Sequence, residues 1–267
     1  MTIFILGGSS SLAESITNSE IFHDFDIYLV SRSESIRENS KSIGYEEFFS
    51  KTKENKKFSV INMINKYNFV EEEQEIFDSN LFFPINIFEA LKNKGCTFYN
   101  INTTLSPKLK TYSLTKLLFS NYLKFSNHSN LVIDIFSETF LGIRNNNFFS
   151  ILVKKLKQNE DICLNNPNSV RKFIHIDDYL SSLSLILNHK FTDQGYNDIY
   201  VGGHIEISIL DFAKKIKLSL GSSSNLISTD SKEEILETNE KQYKYDVENL
   251  GWRQKKGLDN IIEKLIQ

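Results

Sequence analysis

Thr2-Ile3-Phe4-Ile5-Leu6-Gly7-Gly8-Ser9-Ser10-Ser11-Leu12-Ala13 runs from an apolar stretch straight into small residues. That order reads as a short buried strand, a tight turn and the start of a helix. Such a turn gathers backbone N–H groups at a helix N-terminus and can cradle a pyrophosphate. The fit to a G-x-x-G-x-x-G spacing is partial: Gly7 is in place, Ser10 stands at the middle glycine and Ala13 at the last. Alanine at the last position still lets helix and strand pack closely, whereas Ser10 is compatible only where its backbone needs no positive φ. Gly7, Ser9, Ser10, Ser11 and Leu12 are therefore the candidate phosphate-cradle residues.

A second strand, Asp26–Val30, ends in Ser31-Arg32-Ser33. Dinucleotide-binding folds that prefer NAD place an acid here to accept from the ribose 2′-hydroxyl, and an arginine instead pairs with a 2′-phosphate. No acid occupies this strand end, so NADPH (NADP) is the expected cofactor, NAD the less favoured one, and Ser31 and Arg32 its readers. The competing reading of Arg32 is a solvated loop residue.

Short apolar runs then alternate with longer amphipathic ones: strands over 58–64, 97–101 and 131–136, helices over 81–91 and 113–125. This alternation predicts an α/β fold, a Rossmann-type doubly wound parallel sheet. Past Gly142 the pattern loosens into Asn145-Asn146-Asn147 and Asn165-Asn166-Pro167-Asn168, turns around a helix at 148–157. It returns with 172–176, 178–187, 199–201 and 210–220. Residues 1–138 with 172–201 are expected to form the dinucleotide-binding domain, and 139–171 with 202–267 a small C-terminal substrate-binding α/β lobe. The pairs Phe82-Phe83 and Phe148-Phe149 read as core, and the cluster from Lys51 to Lys57 as a solvated face or loop.

Tyr112 and Lys116 stand at i,i+4 in the helix that follows the 97–101 strand, so phenol and ammonium share a face. An ammonium beside a phenol favours the phenolate and tunes it as a proton donor for a carbonyl under reduction. With eleven tyrosines in a lysine-rich chain the spacing alone is weak, and an exposed pair contributes only ~0.2–0.5 kcal/mol.

Taken in order, several segments resemble the extended short-chain dehydrogenase/reductase superfamily, its nucleotide-sugar epimerase/dehydratase group. Ile5 to Ala13 resembles the glycine-rich turn, and Ser59-Val60-Ile61-Asn62 the fourth strand. Phe98 to Leu105 is similar to the strand that delivers the catalytic Ser or Thr, at Thr103. Arg171-Lys172-Phe173-Ile174-His175-Ile176-Asp177-Asp178 resembles an R-D-F-I-H-V-D-D segment with one substitution. Tyr200-Val201-Gly202-Gly203 and Asn249-Leu250-Gly251-Trp252 resemble signatures nearer the C-terminus. The spacing from Thr103 to Tyr112 looks most like the CDP-paratose and CDP-abequose synthase type.

That resemblance implies an NADPH-dependent C4-ketoreductase of a nucleotide-linked 4-keto-6-deoxy (or 3,6-dideoxy) sugar, working in surface polysaccharide biosynthesis. Tyr112 would protonate the C4 oxygen, Lys116 hold the nicotinamide ribose and Thr103 hydrogen-bond the same oxygen. Asn62 and Thr139 join the expected cofactor contacts. Thr103, Thr104, Thr139, Asn147 and Arg171 are the expected substrate contacts, Arg171 as the clamp on the diphosphate, with a local salt bridge to Asp177 or Asp178 as the competing reading. The run 161–164 is a further candidate for diphosphate or base contact. Dehydratases follow the catalytic Ser or Thr with Asp-Glu, which Thr104-Leu105 lacks. The alternatives are a 4-epimerase with tightly bound NAD and a non-catalytic dinucleotide-binding protein. Superfamily dimers pair the helix bearing Tyr and Lys with the helix before it, so a homodimer is expected.

At 267 residues and 40% hydrophobic the chain can bury a large core. A net charge of −3 with scattered cations argues against nucleic acid. Cys96 and Cys163 are too few for a disulfide framework or a metal site. The apolar N-terminal run is too short and lacks the basic flank of a signal peptide, and no stretch of ~18 apolar residues suits a membrane span, so a cytoplasmic protein is expected. His175, inside an apolar run, reads as structural rather than catalytic.

Overall fold

The computed structural model describes residues 1–32, 41–54, 57–66, 72–105, 111–142, 148–229 and 242–267. The first half runs β1 (Thr2–Leu6), α1 (Ser11–Thr17), β2 (Asp26–Val30), β3 (Lys41–Ile43), α2 (Tyr45–Glu54), β4 (Phe58–Asn62), α3 (Glu73–Phe77) and α4 (Phe83–Leu91). Next come β5 (Thr97–Thr103), α5 (Thr111–Phe125), β6 (Leu131–Ser137), β7 (Thr139–Leu141), α6 (Phe148–Lys157), β8 (Ile162–Asn165) and β9 (Val170–His175). The remainder is α7 (Ile176–Asn188), β10 (Tyr196–Val201), β11 (Ile205–Ser208), α8 (Ile209–Leu220), β12 (Leu226–Thr229), β13 (Tyr245–Asp246) and α9 (Leu258–Ile266).

Eight strands form one sheet in the order β13-β10-β6-β5-β4-β1-β2-β3, every pairing parallel. Helices cover both faces, so the inner strands read as nearly continuous apolar runs. Ile3, Ile5, Ile61, Ile133 and Ile135 pack on one face against Leu12 and Ile16 of α1 and Tyr179 and Leu183 of α7. Phe4, Val60, Phe98 and Val132 pack on the other against Phe48 of α2, Phe88 of α4 and Phe119 and Leu123 of α5. Each fully buried side chain of this size stabilises by ~1.5–3 kcal/mol. The expected doubly wound α/β fold is what forms.

The second face changes character toward the carboxyl ends of the strands. Side chains alternate along a strand, so Asn62 shares the face of Val60, Asn100 and Asn102 that of Phe98, and Asp134 that of Val132. The register places Asn62, Asn100 and Asp134 side by side.

Several bounds differ from the sequence reading. The 58–64 strand stops at Asn62, because β1 beside it gives way at Gly7, whose φ is +80°. The 81–91 helix is two pieces, a five-residue π turn (Asp78–Phe82) feeding α4, whose first turn accommodates Pro84. Residues 45–54, read in part as a solvated lysine cluster, form α2, which buries Phe48 beneath the sheet. Phe149 is in the core, but Phe82 is 49% exposed.

A smaller lobe gathers β11-β9-β7, the pair β12-β8, and helices α6, α8 and α9 around a third core. Its centre is aromatic: Phe173 and Phe212 stack at 4.8 Å, and Phe149 meets each edge-on at 5.2 and 5.5 Å. Two segments cross the division drawn from the sequence. Val170–His175 pairs on both sides within the lobe's three-stranded sheet, and Tyr245–Asp246 returns to the edge of the main sheet.

A clamp fixes that return. The Asp178 carboxylate accepts the Lys255 and Lys256 backbone N–H groups at 3.2 and 2.7 Å. The Trp252 indole N–H donates to the Asp178 carbonyl and the Ser181 hydroxyl. Two motifs far apart in the chain thus meet at Asp178 and Trp252. His175 caps α7 by accepting the Asp177 N–H at 3.1 Å, as a structural histidine does.

Candidate active site

The turn after β1 accommodates both departures without strain. Ser10 is the N-cap of α1 at φ −71° and ψ 152°, so no left-handed backbone is asked of it, and its hydroxyl accepts the Ala13 N–H. Ala13 is fully buried, where a larger side chain would push helix from sheet. Gly8 is held tightest: a Cβ there would lie 2.8 Å from the Leu29 Cβ and 2.9 Å from the Val30 nitrogen. Leu12 points into the core, which leaves only its backbone to serve a ligand.

At the end of β2, Ser31 is buried and its N–H donates to the Ile43 carbonyl. Arg32 is exposed and sits 5.9 Å above the Phe83 ring. Tyr45 lies near it; burial pushes this phenol up to about 12, against the opposing pull of the Arg32 charge.

Thr103 ends β5. Its N–H donates to the Asn102 Oδ1 at 2.8 Å, and its hydroxyl oxygen accepts the Leu105 N–H at 3.2 Å, leaving the hydroxyl proton to donate. Tyr112 and Lys116, one turn apart on α5, are both buried, at 8% and 2% exposure. The Lys116 Nζ donates to the carbonyls of Ile64, two residues beyond β4, and Ile101, within β5, at 3.1 and 3.2 Å. These two bonds take two of the three ammonium protons. Burial lowers Lys116 to about 8, with the Asp134 carboxylate opposing, so the side chain is still cationic near neutrality.

A second polar group flanks Thr103. The Thr104 hydroxyl donates to Glu138 Oε2 at 3.0 Å, and the Tyr200 hydroxyl donates to Glu138 Oε1 at 3.0 Å. Tyr200 stacks on Tyr243 at 5.3 Å. Burial and the Glu138 charge hold both phenols well above their ordinary range, so both remain protonated donors. Arg171, on β9, feels the same carboxylate. Its buried Nη1 has no hydrogen-bond partner among the described residues. Asp178 is committed to the C-terminal clamp and Asp177 lies by His175, so the structure shows no local salt bridge for Arg171 among the described residues. A buried guanidinium N–H left unmet costs about 1–3 kcal/mol, and phosphate oxygens suit its planar fork.

Thr139 opens β7 opposite Phe173. Asn147 lies outside the described residues. Asn62, expected as a cofactor contact, is fully buried with its amide committed inward: Nδ2 donates to Asn100 and Oδ1 accepts the Ile64 N–H. The 161–164 run is largely β8; Ile162 and Leu164 are core, and Asp161 accepts from the Asn225 backbone and side chain. Sequence reasoning passed over Asp134, Glu138, Tyr200 and Tyr243. A carboxylate inside the otherwise apolar run 131–136 was the available signal.

No protein-family model matches the chain. Solved structures share its architecture end to end. The UDP-glucose 4-epimerase of Thermotoga maritima, solved with UDP-glucose, superposes at a TM-score of 0.80 and 14% identity, covering 100% of this chain and 97% of that one. The UDP-glucuronic acid 4-epimerase of Bacillus cereus, in complex with UDP-glucuronic acid and NAD, gives 0.77 at 17% identity over 100% and 98%. The UDP-glucose 4-epimerase of Thermus thermophilus, in complex with NAD, gives 0.76 at 14% identity over 99% of each. The fold is the one these enzymes share. At such identities the likeness is one of fold, and the chemistry rests on the residues themselves. No helix among the described residues is long and apolar enough to cross a membrane.

Proposed function

We propose that this chain is a nicotinamide-dependent enzyme that acts at C4 of a sugar carried on a nucleoside diphosphate, as an NADPH-dependent 4-ketoreductase. The observation that carries this reading is Lys116, a buried ammonium on the Ile64 and Ile101 carbonyls, one turn behind the buried Tyr112 and beside the strand end that presents Thr103. The fit to a dinucleotide rests on the Gly7–Ser10 turn, where Gly8 packs too close to β2 to admit a side chain and Ser10 caps α1. When bound, the reduced nicotinamide supplies a hydride to C4.

The residues of the chain do the rest. Tyr112 donates its proton to the developing C4 alkoxide, and the Lys116 charge stabilises the phenolate left behind. The free Thr103 hydroxyl proton donates to the same oxygen. Arg171 donates its unmet N–H to the diphosphate, and Glu138 with Tyr200 holds Thr104 beside Thr103. The second reading, a 4-epimerase with retained NAD, is favoured by the NAD in the structures of similar fold.

A thermal-shift panel of CDP-, GDP-, UDP- and dTDP-sugars with either dinucleotide, followed by turnover, separates the readings, because the right ligand stabilises by mass action. Stoichiometric consumption of NADPH with a 4-keto-6-deoxy sugar nucleotide is the expected result. Interconversion of C4 epimers without net oxidation of added cofactor would assign the epimerase. Dinucleotide binding without any turnover would assign the non-catalytic protein.

Cofactor choice gives a sharper test. Arg32→Asp removes a partner for the 2′-phosphate and adds repulsion, so NADPH affinity falls ~10-fold or more while NADH improves in relative terms. An unchanged preference in binding titrations would show that Arg32 reads no phosphate and would favour the NAD reading.

We also propose a homodimer through α4 and α5. Leu114 and Leu118 on α5 are 37% and 38% exposed, and Phe82 and Phe125 extend the apolar surface. The C-terminal helix does not cover them, because α9 packs on α6, α8 and β9. Tyr122 packs its ring against Phe88 of α4 and its hydroxyl donates to Glu89, so it bridges the two helices. Leu118→Glu should convert a sedimenting dimer to monomer at micromolar concentration; a dimer that survives the change would rule out this face.

A further inference from the structure

Asp134 is fully buried in β6, beneath α5, and its carboxylate meets side-chain donors on both oxygens. Oδ1 accepts from the amides of Asn100 at 2.8 Å and Asn102 at 3.1 Å, while Oδ2 accepts from Asn102 at 3.2 Å and the Tyr196 hydroxyl at 2.8 Å. Burial pushes the Asp134 pKa up and the surrounding donors oppose that rise; four hydrogen bonds all donated to one carboxylate are the pattern of an ionised aspartate. An ionised group in such a place persists only if the structure holds every partner for it.

Two branches leave this carboxylate, one ending at Thr103 and the other at Lys116. In the first, Asn102 gives its N–H₂ to Asp134, which turns its oxygen to the Thr103 N–H at 2.8 Å. In the second, Asn100 gives its N–H₂ to Asp134 and its oxygen to the Asn62 amide at 2.9 Å. The Asn62 oxygen then accepts the Ile64 N–H at 3.3 Å, and the Ile64 carbonyl accepts the Lys116 ammonium. An amide side chain can turn over and exchange its donor for its acceptor; a carboxylate cannot. One acceptor-only group therefore sets the sense of three amides.

We propose that Asp134 is a positioning residue for the active site, fixing Thr103 through Asn102 and the Lys116 perch through Asn100 and Asn62 without touching substrate or dinucleotide. This rests on reading Thr103, Tyr112 and Lys116 as the reacting centre. The groups facing Asp134 are Lys116 and Ser120 from α5, Tyr196 from β10, and Asn100 and Asn102 from β5. Its charge also favours the charged form of Lys116.

The test is Asp134→Asn, close in shape but with a donor where only acceptors fit. In the ligand-free protein, amide hydrogen exchange at Thr103 and Ile64 should speed up at least ~10-fold while Ile5 and Ile133 in the strand centres are unchanged. With NADPH and CDP-4-keto-6-deoxyglucose, or whichever nucleotide the panel selects, kcat should fall ~10- to 100-fold, with KM within about threefold. The alkaline limb of the kcat profile should move to lower pH as Lys116 loses its counter-charge. Unchanged exchange at Thr103 and Ile64 together with unchanged kcat would overturn the proposal. If the variant fails to fold, Asn102→Ala cuts only the first branch: lost protection at Thr103 and lowered kcat with an unmoved alkaline limb support the proposal, and wild-type values overturn it. Tyr112→Phe assayed alongside distinguishes the two levels, since full activity there would sink the catalytic reading while the exchange result would still decide the role of Asp134.

Discussion

Tyr112→Phe is expected to lower turnover by ~10²-fold or more while leaving the fold and dinucleotide affinity intact. The ring is buried, so phenylalanine fills the same space. On the proposed mechanism, what disappears is the proton that the C4 oxygen would receive. Thr103 cannot replace it, because its hydroxyl is not tuned by a neighbouring ammonium. Near-normal rates in the variant, measured with a reduced nicotinamide and the substrate found by the ligand panel, would exclude Tyr112 as the acid.

Lys116→Met should change the pH dependence of folding in a window set by the lysine itself. In the folded protein burial holds Lys116 at about 8, against an ordinary value of 10.5. Below pH 8 both folded and unfolded chains carry the proton, and the cost of keeping the ammonium out of water is fully present. Between pH 8 and 10.5 the folded chain sheds the proton while the unfolded chain keeps it, so this cost is relieved and the wild type gains stability as pH rises. The shift corresponds to ~3 kcal/mol, as an order of magnitude, at about 1.4 kcal/mol per unit. Methionine does not titrate, so the difference in urea-unfolding free energy between wild type and variant should swing toward the wild type across that window. A difference that stays flat from about pH 7 to 10.5 would refute the buried, depressed lysine.

The parallel sheet was legible because its strands are buried on both faces and so stand out as apolar runs between amphipathic ones. Tyr112 and Lys116 were legible because helical spacing alone puts them on one face. Ser10 was a real ambiguity, settled only by the observed φ, which no residue letter carries. The short edge strand β3 and helix α2 were missed because few residues there, Ile43 and Phe48 among them, carry deep burial, too few for a periodic signal. The direction of the Asn62 amide was not legible for a different reason: its position in a motif says nothing of where it turns, and that is decided by Asn100 and Asp134, far along the chain. Glu138 and Arg171 come within electrostatic reach through the pairing of β7 with β9, a proximity that no local pattern announces.

The clamp between Asp178 and Trp252 has a consequence for synthesis on the ribosome. Val247 and Trp252 belong to the core beneath the first β-strands, and Ile261 and Ile262 to the core of the lobe. Neither core is complete until residues 245–262 have been translated, although the chain emerges amino end first. The nascent sheet must therefore wait with an uncovered apolar edge beside β10 and α7, and that interval is when a chaperone would find its binding surface.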